Sequence, residues 1–102
     1  MEEQKPNHQI DIELSEEIAE GVYSNLAIIT HSQSEFVIDF IKLMPGVPKA
    51  KVKSRVLLTP QHAKRLLKAL ADNIATFEQV NGKIKDIESS FPINFGGPTA
   101  QA

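Results

Sequence analysis

The sequence predicts an α+β fold: a four-stranded antiparallel meander sheet followed by one long C-terminal amphipathic helix. Three observations carry this. Apolar and polar residues alternate with a period of two in several stretches before residue 59, the mark of half-buried strands. After Thr59-Pro60 the period changes to that of a helix, and short strands followed by a separate helical run read as α+β rather than α/β. The breaks between these stretches fall at Gly, Pro and Ser clusters, which are turn chemistry. At 102 residues the chain is one domain by length. It is expected to have a flexible N-terminus over residues 1–9, an α+β domain over 10–87 and a flexible tail over 88–102.

The elements follow in order. Residues 10–14 (IDIEL) alternate strictly and read as the first strand. Residues 15–21 (SEEIAEG) read as a turn or a single helical turn, with Ser15 as N-cap and Gly21 freeing the chain to change direction. Residues 22–31 form the second predicted strand, with Tyr23, Asn25, Ala27, Ile29 and His31 on one face. Ser32-Gln-Ser34 makes a hairpin loop into the third strand, 36–44. That strand is apolar on both faces: Phe36, Ile38 and Phe40 on one, Val37, Ile41 and Leu43 on the other. Two prolines in Met44-Pro-Gly-Val-Pro-Lys49 exclude regular structure there. Residues 50–58 alternate again, with Ala50, Val52, Ser54, Val56 and Leu58 inward and Lys51, Lys53 and Arg55 outward.

Thr59-Pro60 is the clearest helix start in the chain. A threonine hydroxyl can cap free amides, and proline suits the first helical position. Ala63, Leu66, Leu67, Leu70, Ile74 and Phe77 make one apolar stripe, and Asn81-Gly82 supplies the stop.

One helix covers one sheet face, which leaves the second face of an apolar third strand in need of a partner. The expected partner is a second copy, most simply a two-fold dimer, with an interface of Tyr23, Ala27, Ile29, Val37, Ile41 and Leu43. The alternative is that residues 84–95 fold back over that face within one chain.

Charge is strongly segregated. Residues 1–40 hold nine acidic side chains and one basic, for −8; residues 41–70 hold eight basic and no acidic, for +8; the remainder contributes −2. The basic set offers Lys51, Lys53 and Arg55 on a strand, and Lys64, Arg65 and Lys68 in the opening turns of the helix, as an anion-binding surface. Its partner is either an anionic macromolecule, nucleic acid included, or the acidic half of this protein. A pI of about 5.9 and the lack of interleaved aromatics weigh against nucleic acid. Asp39, alone in an apolar strand, needs a cation, and Lys53 or Arg55 on the neighbouring strand is in reach if the register allows.

There is no cysteine, which excludes disulfides, zinc–thiolate sites and thiol chemistry. His8, His31 and His62 are not at ligand spacing, and no phosphate-binding loop, nucleophile elbow or zinc-protease motif occurs. No cofactor or metal is expected, and the protein reads as a non-enzyme. The opening MEEQKPNHQI does not read as a signal peptide and no apolar run reaches membrane-spanning length, so the expectation is a cytoplasmic protein.

The motifs Tyr23-Ser-Asn25, Glu35-Phe-Val-Ile-Asp-Phe40, and Arg55-Val-Leu-Leu-Thr-Pro60 with Ala63-Lys-Arg-Leu-Leu-Lys-Ala-Leu70 resemble those of a widespread family of small bacterial proteins classified only as a domain of unknown function. The resemblance covers roughly residues 20–82. It implies no activity, and it places Glu35, Asp39, Lys64 and Arg65 in the family pattern. A strand meander followed by a long helix also resembles the topology of the SecB export chaperone, although fold does not imply function. The expected role is a non-enzymatic, oligomeric binding or adaptor protein. The alternatives are a nucleic-acid-associated protein and a chaperone-type binder of unfolded chains.

Overall fold

A computed structural model describes residues 9–86 and 99–101. The expected flexible residues 1–8, and most of the expected tail, lie outside the described residues. A one-turn helix α1 spans Glu16–Ala19. It is followed by strands β1 (Leu26–His31), β2 (Phe36–Ile41) and β3 (Val52–Leu58), helix α2 (Pro60–Asn81) and a short strand β4 (Thr99–Gln101). The fold is α+β, with an antiparallel sheet and a long helix after the meander, as the sequence predicts.

The meander has three strands, not four. Residues 10–14, the expected first strand, form no strand, and Ile12 is 92% exposed. Alternation shows that a segment fits a half-buried sheet, but a strand also needs an edge to pair with. The outer edge of β1 is taken by β4, with Ile28 opposite Ala100. The sheet order is β3-β2-β1-β4.

Strand ends are shorter than the alternation suggests. β1 begins at Leu26 instead of residue 22. Just before it the Asn25 N–H donates to the Ile41 carbonyl at 3.0 Å, and Ser24 and Asn25 add side-chain bonds to the end of β2. The Ser24 hydroxyl donates to the Leu26 and Ile41 carbonyls at 2.9 and 3.0 Å. The Asn25 amide donates to the Leu43 carbonyl at 3.1 Å and accepts from the Leu43 N–H at 2.7 Å. Asn25 thus imitates a backbone peptide and closes the β1–β2 ladder with its side chain. β2 stops at Ile41. The chain then turns through Pro45-Gly46, where the Val47 N–H reaches the Met44 carbonyl at 3.2 Å and Gly46 takes φ +82°, the left-handed value of a type II turn.

The helix is the element that matches expectation most closely. The Thr59 hydroxyl accepts from the His62 N–H at 3.1 Å, and Pro60 occupies the first turn. Gly82 ends it at φ +88°, its N–H donating to Glu78 at 2.9 Å. One expectation fails: α2 does not lie over the sheet as a cover, and it has no buried residue. The described core is correspondingly small. Its buried apolar side chains are Leu26, Ile28, Ile41 and Leu58, with Leu43 packed partly against the first three.

Candidate functional site

The sheet register decides which side chains share a face. Leu26 pairs with Ile41, Ile28 with Asp39 and Thr30 with Val37, so these six side chains lie on one face. Ala27, Ile29 and His31 lie on the other with Phe40, Ile38 and Phe36. The six residues expected to form one interface are therefore split. Ala27 and Ile29 are on the second face; Val37 and Ile41 are on the first, where Ile41 is buried. The structure corrects the grouping, because pairing opposite residues in an antiparallel ladder puts odd-numbered β1 residues with even-numbered β2 residues. Tyr23 precedes β1 and Leu43 follows β2. The Tyr23 ring is exposed and lies under the Lys42 ammonium, 5.7 Å from its centroid.

Asp39 is opposite Arg55 in the β2–β3 ladder. The guanidinium grips the carboxylate with two bonds, Nε–Oδ1 at 2.6 Å and Nη2–Oδ2 at 2.9 Å. Asp39 is buried, with 11% of its side chain exposed, while 63% of the Arg55 side chain is in solvent. The Arg55 hydrogen bonds hold the Asp39 carboxyl below its ordinary range, against the opposing effect of burial, and Asp39 in turn raises Arg55. The expected cross-strand partner is thus Arg55 rather than Lys53. An arginine fork matches a carboxylate at both oxygens, which a lysine cannot do. This bond removes Arg55 from the expected anion-binding row.

That row is broken further by a register shift between Phe40 and Ile41. Ser54 pairs with Phe40 and Val52 with Ile41, so Lys53 has no opposite number. A bulge of this kind turns the strand locally. Lys53 and Lys51 instead line a shallow groove with Lys42, Met44, Val47 and Lys49, and an adjoining depression is lined by Tyr23, Lys42 and Lys53. The sequence reading missed Lys42 and Lys49 because their approach to Lys51 and Lys53 depends on the Pro45-Gly46 turn. Lys64, Arg65 and Lys68 sit on α2 and line neither depression. None of these lysines, nor Arg65, forms an ion pair with a described residue.

The histidines separate from one another. His31 packs its ring on Phe36, centroids 5.4 Å apart, across the β1–β2 hairpin. His62 is exposed in the first turn of α2, and His8 lies outside the described residues. Among the described residues no cluster of His, Asp and Glu could hold a metal ion, and no helix is long and apolar enough to cross a membrane.

The most conspicuous surface is apolar. Leu66, Leu67, Leu70, Ile74, Phe77 and Val80 of α2 keep between 39% and 78% of their surface exposed. On the second sheet face, Ile29 and Val56 are exposed beside the half-buried Phe36, Ile38 and Phe40.

Residues 1–86 match the profile of a family described as "Protein of unknown function (DUF3467)". No curated protein and no solved structure matches the chain.

Proposed function

Taking as premise that this chain belongs to the DUF3467 family, we propose that it works as a non-enzymatic, oligomeric binding protein. In this reading its uncovered apolar surfaces are contacts between copies, and its lysine-lined groove receives an acidic partner. The carrying observation is α2: a 22-residue amphipathic helix with no buried residue. Six large apolar side chains exposed along one helix are the kind of contiguous surface that marks an interaction site. Fully burying a side chain of this kind is worth about 1.5–3 kcal/mol, so the helix has much to gain from a partner. Sedimentation equilibrium at tens of micromolar tests the reading. A dimer or larger closed oligomer is expected, and a monomer would overturn it.

A second reading, association with nucleic acid, draws on the convergence of Lys42, Lys49, Lys51 and Lys53 beside the Tyr23 ring. A cationic groove next to an exposed aromatic is the combination that binds single strands. It predicts retention on single-stranded DNA or RNA that falls steeply with salt. Without such retention, an acidic protein surface is the better occupant.

A further inference from the structure

Five positions of the α2 stripe read the same in both directions. From Leu70 they fall at Leu66 and Ile74, four residues either way, and at Ala63 and Phe77, seven residues either way, while Leu67 flanks this set with Asn73 as its counterpart. Steps of three and four keep all five on one side of a helix. We infer that α2 is a dimerisation helix that pairs antiparallel with α2 of a second copy, about a two-fold axis passing beside Leu70. This rests on the oligomeric reading above and gives it a surface and an orientation.

The residues opposite one another then suit each other. Leu70 meets its own copy, Leu66 meets the partner copy's Ile74, and small Ala63 meets large Phe77. Pairing small with large at the two outer positions lets the helices lie close along their whole length. Leu66, Leu70, Ile74 and Phe77 keep between 39% and 54% of their surface exposed, and pairing two such stripes buries them against one another, as the core of a specific interface requires.

Charge selects the antiparallel orientation. The first half of the helix carries Lys64, Arg65 and Lys68 and no acid; the second half carries Asp72 and Glu78 and no base. Lys64 and Glu78 flank the stripe on the same side, and antiparallel pairing sets each beside the other, twice by symmetry. Parallel pairing would instead lay the two basic halves side by side and the two acidic halves side by side. One Glu78 oxygen accepts the Ile84 N–H at 2.9 Å, and a carboxylate has acceptor capacity left for a lysine. The helix dipoles favour the same orientation.

The chain has no cysteine, so single introduced thiols report the geometry. In the full chain, Leu70→Cys puts two thiols together at the axis and is expected to give a disulfide-linked dimer under mild oxidation. Phe77→Cys sets them about 21 Å apart along the helices, at 1.5 Å per residue, and is expected to give none. Lys68→Cys, on the far side of the helix, is a second negative control. Lys64→Glu is expected to weaken association roughly three- to tenfold by setting like charges together twice, and Lys64→Glu with Glu78→Lys to restore it. This reversal does not depend on the packing of Leu70. Cross-linking by Phe77→Cys, or failure of Leu70→Cys to cross-link in a protein that still sediments as a dimer, would overturn the helix pairing and leave the oligomeric reading standing. A monomeric parent protein would remove both.

Discussion

Asp39 shows how one buried charge shapes a sheet. Its carboxylate takes two bonds from Arg55 across the ladder, and its pKa is lowered mainly by those bonds. A lowered folded-state pKa means that the unfolded chain holds this proton more tightly. The stabilisation is therefore complete above the unfolded carboxylate value, about 3.9, and is lost as pH falls through the lower folded value. Asp39→Asn keeps the shape, removes the charge and offers a donor where Arg55 needs an acceptor. It is expected to lower the thermal midpoint at pH 7 by roughly 3–6 °C, the effect of one modest polar interaction in a domain of this size. The difference from the parent should shrink below pH 4. A difference that stays constant down to pH 2.5 would show that the charge contributes no pH-dependent stability. The need for a cation at Asp39 was legible in the sequence, since a lone carboxylate in FVIDFI must be satisfied. Which cation it would be was not, because that depends on register.

At the scale of elements, legibility followed how local the cause is. The start of α2 was legible because Thr59, Pro60 and His62 settle it among themselves. Residues 10–14 misled because a strand is defined by its neighbour, and alternation says nothing about which edge is free. The start of β1 was hard to read for a related reason: Ser24 and Asn25 add side-chain bonds there, yet look like ordinary loop residues until the end of β2 lies beside them. The split of the expected interface was likewise a matter of register, invisible to parity within a single strand. Thr59→Ala tests the local account of the helix. Losing an N-cap costs about 1 kcal/mol, and the loss should appear as a lower midpoint when melting is followed by helical circular dichroism. Thr59→Ser, which keeps the hydroxyl, should be close to the parent. If Thr59→Ala melts with the parent, the cap bond is not a determinant of helix stability.

For the whole molecule the question is where its stability comes from. The described core holds four buried apolar side chains, while the apolar face of a 22-residue helix stays in water. A single chain with that distribution has little burial to set against the entropy of ordering its backbone, about 1–2 kcal/mol per residue. The charge pattern points the same way. Its segregation into acidic and basic stretches is partly absorbed by Asp39 and Arg55, and on α2 it becomes two oppositely charged halves that a reversed copy would neutralise. If folding and association are one process, stability depends on protein concentration, since only the folded form binds a second copy. Each tenfold increase in concentration then adds about 1.4 kcal/mol at 25 °C, and the midpoint should climb by a few degrees per decade. Scans at about 2, 20 and 200 µM would show the climb, and Lys64→Glu should displace the series downward without changing its slope. A midpoint independent of concentration over that range would mean that the chain folds on its own and that the α2 stripe contributes nothing to its stability.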